Sequence, residues 1–330
     1  MKTRYIFSPG EVKRKDNSIA FKSPDGWRYV PVEEVREIYF FSEVSLNTKF
    51  LDFAARAGIV LHFFNYYGHY SGTFYPKEHL LSGKLKIAQA QAFLQRRLEV
   101  ARPIVIATAL NLKEVLYHYY RHGKNETKEM IDWLATIDRR TQKARNVGDL
   151  LFLEGQVWMR FYEALRLILP QDFTLHRRIK RPPNNPINAL ISFGNTLLYT
   201  KTVTAIYQTH LDQTISFLHE PREARFSLSL DLSEAFKPII VFKTILDLVN
   251  RRQIQASKHF VKELNMSLLN EKGKKIFIQA FEERLAQKFL HPKLKRKTSF
   301  QSAIKYDGYK LIKFLLEDHE FMPFLLARKM

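Results

Sequence analysis

The period of the hydrophobic pattern changes once along this 330-residue chain, and that change limits the folds open to it. Up to residue 75, short runs of aromatic and β-branched residues alternate with polar ones, as in strands with one buried face. Turn signals such as Pro9-Gly10 and Pro24-Asp25-Gly26 separate the runs. We predict strands over 4–7, 11–14, 19–22, 27–32, 37–41, 59–64 and 71–75, with a helix over 46–57. Residues 1–75 should therefore form a small β-rich domain.

Beyond residue 84, apolar residues recur at helical spacing. Pro103 and Pro170 should end helices, whereas Pro238 falls inside a helical pattern and should kink it. The predicted helices are 84–102, 104–121, 127–145, 149–169, 186–217 and 228–251, with shorter ones after them. The fold class is therefore α+β, with the β-rich domain (1–75), a linker (76–84) and a larger all-α domain (85–330).

Positive charge is concentrated in the helical region. The formal net charge is +20, of which residues 1–75 contribute +2, which leaves +18 for the remainder. Lysine and arginine clusters lie at 139–140, 177–181, 251–252 and 293–297. Any one cluster fits a solvated helix face. Together they predict a surface that binds a polyanion such as nucleic acid.

The sequence argues against several classes of protein. The chain has no cysteine, which excludes disulfides, thiolate nucleophiles and cysteine zinc sites. The first residues lack the apolar core of a signal peptide, and no apolar run approaches the roughly 20 residues that cross a bilayer. We expect a cytoplasmic protein without a membrane partner. Motifs for nucleotide hydrolysis, hydride transfer, zinc proteolysis and serine esterases are absent.

A histidine and two carboxylates lie close together near residue 228, where a helix is predicted to begin. Asp231 and Glu234 are three positions apart and share a helix face, and His219 arrives from the loop before it. One nitrogen and hard oxygen ligands suit magnesium or manganese, and in so basic a chain a phosphodiester is the natural substrate. Helix-dipole effects and capping also favour such residues here, so this segment alone leaves both interpretations open.

Glu154 is a further carboxylate in an unusual position. It interrupts an apolar helical face formed by Leu150, Leu151, Val157 and Phe161. A charge among core residues needs a partner, and a cation is one such partner.

These segments together resemble one known family in order and in spacing. They are the Glu154-Gly155 pair with Arg160 and Tyr162, a Pro-Pro-x-x-Pro-x-Asn-Ala-Leu-x-Ser-x-Gly segment from Pro182 to Gly194, and His219 followed by Ser-Leu-x-Leu-Asp-Leu-x-Glu and a basic-Pro pair. The pattern is similar to CRISPR-associated protein one, the spacer-acquisition endonuclease/integrase family. The resemblance covers nearly the whole chain.

The resemblance implies a function, a cofactor and partners. Glu154, His219 and Glu234 would bind Mg²⁺ or Mn²⁺, with Asp231 as the neighbouring catalytic carboxylate. The protein would be a metal-dependent DNA endonuclease and integrase that cuts and joins phosphodiesters to insert new spacers into the repeat array. Its partners would be double-stranded DNA (spacer precursor and repeat), a second copy that forms a homodimer through the β domain, and CRISPR-associated protein two.

Two positions depart from the family pattern. Asn185 stands where family members usually carry Asp, and Lys237 where they usually carry Arg. Asn185 is still a good N-cap ahead of Pro186. Two other functions stay open: a metal-dependent nuclease on RNA or branched DNA outside CRISPR, and a non-catalytic nucleic-acid-binding scaffold whose acidic residues only cap helices and pair with arginines.

Overall fold

The chain divides into two compact units, Met1–His79 and Leu80–Met330. The structure, a computed structural model, describes residues 2–65, 67–77, 82–180, 182–221, 226–263, 266–290 and 295–326. Part of the predicted linker, residues 78–81, lies outside the described residues. The first unit is rich in strands and the second is mostly helical, so the predicted α+β class is confirmed.

The first unit contains two four-stranded sheets and one helix. Its elements are β1 (Lys2–Ile6), β2 (Gly10–Lys15), β3 (Ser18–Ser23), β4 (Gly26–Pro31), β5 (Val35–Phe40), β6 (Val44–Leu46), α1 (Thr48–Arg56), β7 (Val60–Phe64) and β8 (Tyr70–Phe74). The sheet orders are β4-β3-β2-β6 and β1-β5-β7-β8. Strand β6 was not predicted, because a run of three residues is too short to show a period.

One apolar cluster joins the two sheets and α1. It contains Val12 of β2, Ile38 of β5, Leu61 of β7 and Phe50 of α1, all at most 1% exposed. Helix α1 begins at Thr48, two residues after the predicted start, because the side chain of Asn47 accepts the Phe50 N–H at 2.9 Å and caps it.

The second unit is built from helices with two short hairpins. The helices are α2 (Gly83–Gln95), α3 (Arg97–Tyr120), α4 (Lys128–Ala135), α5 (Ile137–Thr141), α6 (Val147–Ile168), α7 (Pro186–Tyr207), α8 (Ser227–Glu234), α9 (Lys243–Asn250), α10 (Glu271–Ala286) and α11 (Phe300–Glu317). The antiparallel hairpins pair β9 (Phe260–Glu263) with β10 (Met266–Leu269) and β11 (Lys288–Leu290) with β12 (Lys297–Ser299). Within the described ranges, no helix is both long and apolar enough to span a bilayer.

The prolines act differently from one another. Helix α6 ends at Ile168, two residues before Pro170, as predicted. The break expected at Pro103 occurs instead at Arg96 (φ −128°, ψ 21°), and Pro103 lies inside α3. Proline costs a helix one hydrogen bond, but the buried neighbours in α3 favour continuing it, since packing supplies most helical stability in proteins. Between α8 and α9, Pro238 lies in a π-helical segment, Lys237–Phe242.

Helix α3 positions the elements that carry the predicted site. It packs against α6, against α8 and against the π-helical segment. Its buried Asn111 side chain donates to the carbonyl of Ala235, directly after α8, at 2.7 Å. Glu154 on α6 and Glu234 at the end of α8 therefore both lie on elements that pack against α3.

Candidate active site

The turn before α8 is organised by the carboxylate of Asp231. Its Oδ2 accepts the backbone N–H groups of Phe217 and Leu218 at 2.6 and 2.8 Å. Its Oδ1 accepts the backbone N–H of His219 at 2.9 Å. Asp231 is fully buried, so these bonds compensate for the loss of water around its charge.

Asp231 also orients the imidazole of His219. The ring Nδ1 lies 2.8 Å from Asp231 Oδ1, and because an ionised carboxylate only accepts hydrogen bonds, Nδ1 carries the proton. In the neutral ring this leaves the lone pair on Nε2, which lies 4.0 Å from Glu234 Oε1. Histidines that bind metals are commonly held by a carboxylate on the far nitrogen in this manner.

Arg97, at the start of α3, holds the opposite side of the same turn. Its Nε donates to the carbonyl of Phe217 at 2.6 Å, and its Nη2 to that of His219 at 3.3 Å. The guanidinium also pairs with Glu220 at 2.7 Å. Sequence reasoning missed Arg97, because it lies more than a hundred residues away and no local pattern marks it. Asp231 accepts the N–H groups of the turn, and Arg97 donates to its carbonyl groups. The two side chains together fix the position of His219.

Glu234 ends α8 with a buried carboxylate that is only partly satisfied. It is 1% exposed, and its Oε1 accepts a hydrogen bond from the ammonium of Lys237. Its Oε2 is buried and has no hydrogen-bond partner among the described residues. A buried carboxylate oxygen without a partner is costly. This is the observation in the site that most clearly indicates a place for a cation.

Glu154 faces the same region from α6. A capping box of Asn146 and Asp149 begins this helix, and the predicted apolar face is confirmed for Val157 and Phe161, which are fully buried. Burial, followed by the negative charge of Glu234, raises the pKa of the Glu154 carboxyl. The two carboxylates are thus close enough to repel one another.

The pKa of His219 reflects the same crowding of negative charge. Burial alone lowers it, but the hydrogen bond and charge of Asp231 and the charge of Glu234 outweigh burial and raise the pKa above its ordinary value. A bound cation would lower the pKa of both His219 and Glu154, since it would offset the negative charge of Glu234, which contributes to both shifts.

The structure brings three of the four predicted site residues together and places the fourth within electrostatic reach. His219, Asp231 and Glu234 are in contact, and Glu154 interacts with Glu234 and His219 through its charge. Throughout the described ranges, no three His, Asp or Glu side chains are already arranged to grip one ion. The donor set nevertheless fits one, because two ligands of a single Mg²⁺ stand at most about 4.2 Å apart and His219 Nε2 and Glu234 Oε1 are 4.0 Å apart.

Tyr162, on α6 with Glu154, lines the same region and is influenced by the charges of Glu154 and Glu234. Burial is the main cause that raises the pKa of its hydroxyl to about 12; Glu234 and Glu154 add to the increase, and Arg178 opposes it. The Tyr162 hydroxyl is therefore neutral at physiological pH and acts as a hydrogen-bonding group.

Arg178 belongs to the predicted basic cluster 177–181 but points inward. It donates to Asn188 Oδ1 at 3.1 Å and to Ser192 Oγ at 2.9 Å, both on α7. Asn185 accepts the Asn188 N–H at 2.9 Å and caps α7, so the predicted N-cap is confirmed. Arg181 of this cluster, and residues 293–294 of the last one, lie outside the described residues. Arg178 thus supports the wall of the site, a role that its sequence context did not indicate.

Comparisons with known proteins agree with the motif pattern. The family profile described as CRISPR associated protein Cas1 matches residues 4–283. The CRISPR-associated endonuclease Cas1 2 of Thermodesulfovibrio yellowstonii is 42% identical over 327 residues, which cover 98% of each chain. A solved CAS1 protein from Thermotoga maritima superposes with a TM-score of 0.87 at 37% identity and covers 100% of both chains. A casposase bound to integration product shares the fold, with a TM-score of 0.87 at 19% identity, covering 100% of this chain and 95% of that one. The chain therefore belongs to the Cas1 family of CRISPR-associated proteins.

Proposed function

We propose that the protein is a divalent-metal-dependent DNA endonuclease and integrase that inserts new spacers into a CRISPR repeat array. The proposal rests on the arrangement of the His219 and Glu234 side chains relative to each other. Asp231 fixes the imidazole with Nε2 toward Glu234, and Glu234 retains a buried oxygen that has no hydrogen-bond partner in the described part of the chain. Its family relatives are named as endonucleases, which supports phosphodiester chemistry at this site.

Each site residue has a distinct role in the proposal. Glu154, His219 and Glu234 would hold Mg²⁺ or Mn²⁺. A bound divalent cation supplies Lewis-acid polarisation of a backbone phosphate and offsets the charge that develops in the transition state. Asp231 acts on the reaction through His219, because its two oxygens already accept three backbone N–H groups and the imidazole. We therefore assign it a positioning role and no direct metal contact.

Double-stranded DNA is the proposed substrate, bound through its phosphates. Arg139, Arg177, Arg251 and Arg252 are exposed on the second unit, where most of the net positive charge lies. Such contacts hold a duplex without reading much of its sequence. A homodimer formed through the β-rich unit, and an assembly with CRISPR-associated protein two, are proposed on the family resemblance.

The test is cleavage and joining of a labelled DNA duplex into repeat-containing DNA with Mn²⁺, comparing Glu154→Gln and Glu234→Gln with the unchanged protein. Each variant should lose more activity than the roughly 10–100-fold typical of an outer-shell partner of a metal. Glu163→Gln is the matched control, because Glu163 lies on the same helix as Glu154 but is 38% exposed and pairs with Arg160 at 3.6 Å. Unchanged turnover in Glu234→Gln, with DNA binding intact, would contradict the assignment.

The same assay separates the two other functions that the sequence leaves open. A non-catalytic scaffold would bind DNA equally in all four proteins and would show no manganese requirement. A nuclease outside CRISPR would cleave RNA or forked DNA faster than it joins a duplex into a repeat. We expect joining into the repeat to be the favoured reaction.

A further inference from the structure

Lys237 places a positive charge inside the proposed metal site. Its ammonium donates to Glu234 Oε1, and its side chain is 17% exposed beside a carboxylate that is 2% exposed. It lies three residues after Glu234, at the first position of the π-helical segment Lys237–Phe242. The local backbone conformation therefore places the ammonium next to this carboxylate.

The ammonium and a divalent ion would compete for the Glu234 carboxylate. Glu234 Oε1 is the same atom that faces His219 Nε2 at 4.0 Å. His219 and Glu234 would hold the divalent ion here, and Glu234 Oε2, which has no hydrogen-bond partner among the described residues, would be open to it as well. An ammonium hydrogen-bonded to Oε1 cannot keep that position next to a divalent charge, because the two cations repel each other at contact distance.

A second position for the ammonium is available nearby. Lys237 Nζ lies 5.8 Å from the ring centroid of Trp158, one turn along α6 from Glu154. The face of an indole ring attracts an ammonium within about 6 Å of its centroid. A small rotation of the lysine side chain would move the ammonium from the carboxylate to the face of the ring.

We propose that Lys237 is a resident counter-cation: its ammonium neutralises Glu234 until the divalent ion binds, and the ion displaces it from Oε1 toward Trp158. The inference rests on the proposed metal site and assigns Lys237 a positioning role there. It explains how a fully buried carboxylate is tolerated before the ion arrives. It also implies that the need to displace the ammonium weakens the apparent metal affinity, since that affinity scales with the fraction of protein that is competent to bind the ion.

The experiment compares Lys237→Met and Lys237→Gln with the unchanged protein, measuring thermal unfolding of EDTA-treated protein and the Kd for Mn²⁺ by calorimetry. Both variants should unfold at lower temperature without metal, because Glu234 loses its partner. Both should nevertheless bind Mn²⁺ about tenfold more tightly, the factor expected if the ammonium occupies the site nine-tenths of the time. Nonspecific damage would lower stability and affinity together, so the opposite signs are diagnostic.

Lys310→Met is the matched control. Lys310 also pairs with a buried carboxylate three residues away, Asp307, at 2.7 Å, and the exposures of the two side chains are 27% and 1%. This variant should lose stability and keep the Mn²⁺ affinity of the unchanged protein. Lys237→Arg retains the charge and should show no gain in affinity.

Two outcomes overturn the inference. One is Mn²⁺ affinity in Lys237→Gln equal to or weaker than that of the unchanged protein. The other is a manganese-soaked crystal in which Lys237 still bonds Glu234 Oε1 beside the ion. If the unchanged protein binds Mn²⁺ and Glu234→Gln does not, the proposed function survives either result. If neither the unchanged protein nor any variant binds Mn²⁺, the proposed function is wrong, and the inference that rests on it is wrong too.

Discussion

At the scale of single residues, Asp231 connects the fold to the proposed chemistry. One carboxylate accepts three backbone N–H groups and the imidazole Nδ1, so folding of the turn and orientation of His219 depend on the same atoms. A side chain of the same shape with a donor at one position cannot reproduce this pattern, because every partner of Asp231 is itself a donor.

We predict that Asp231→Asn lowers both stability and metal affinity. Its amide group would face backbone N–H donors, and each buried group left unsatisfied costs about 1–3 kcal/mol. Urea unfolding and a Mn²⁺ titration measure the two effects. Asp307→Asn is the control, because Asp307 is also buried and accepts a backbone N–H, from Phe324, at 2.6 Å. The control should lose stability alone; normal Mn²⁺ affinity in Asp231→Asn would contradict the positioning role.

Arg97 allows an independent prediction on the same turn. Arg97→Met removes charged donors from the carbonyls of Phe217 and His219, and hydrogen bonds to charged groups contribute about 1.5–3 kcal/mol each. The turn should open more often than the surrounding helices. Hydrogen exchange should therefore show faster exchange of the Phe217–His219 amides at unchanged protection of α7. Equal protection of the turn in both proteins would show that Asp231 holds it alone.

At the scale of elements, the segment after α11 supports the end of α8. Phe324 stacks on Phe236 with ring centroids 4.8 Å apart, two residues beyond Glu234. Asn111 of α3 donates to the carbonyls of Ala235 and Phe324 at 2.7 and 3.1 Å. The backbone just after Glu234 is thus held between α3 and this segment.

Phe324→Ala should destabilise the protein by about 3–5 kcal/mol, the usual cost of truncating a buried phenylalanine. Phe324 is 4% exposed and also contacts Phe289 and Phe300, so little of the resulting cavity can collapse. Thermal unfolding measures the loss. Leu325→Ala is the neighbouring control, since Leu325 is 43% exposed and its truncation should cost much less. Similar losses in both variants would show that the segment is not packed as described.

The elements that the sequence predicted are those whose signals are local. Helix α6 was predicted over 149–169 and is Val147–Ile168, because its period, its capping box and Pro170 all lie within it or next to it. The break at Arg96 was missed because no proline or glycine marks it, and the two hairpins of the second unit were missed because strands of three or four residues are too short to show a period. The site follows the same rule. His219, Asp231 and Glu234 are close in sequence and were identified together, whereas Arg97 and Asn111 are brought in by α3 and have no local signature.

At the scale of the whole molecule, most of the net positive charge lies in the second unit. The chain carries +20, and residues 76–330 account for +18 of it. A compact body with this excess repels itself and attracts polyanions. The exposed Arg139 and Arg251 are therefore available for the proposed contacts with DNA phosphates.

Binding of duplex DNA should consequently depend steeply on salt. A protein that neutralises 6–10 phosphates loses about 10³–10⁵ in affinity between 50 and 200 mM salt, because the counterions released on binding gain less entropy in more concentrated salt. Fluorescence anisotropy with a labelled duplex gives the slope of log Kd against log salt, measured in EDTA so that metal does not contribute. Glu234→Gln should keep that slope, because it removes no phosphate contact, while Arg251→Gln with Arg252→Gln should reduce its magnitude by up to about 2. A loss below about tenfold over this range would mean that few phosphates are neutralised, and the charge of the second unit would then need another explanation.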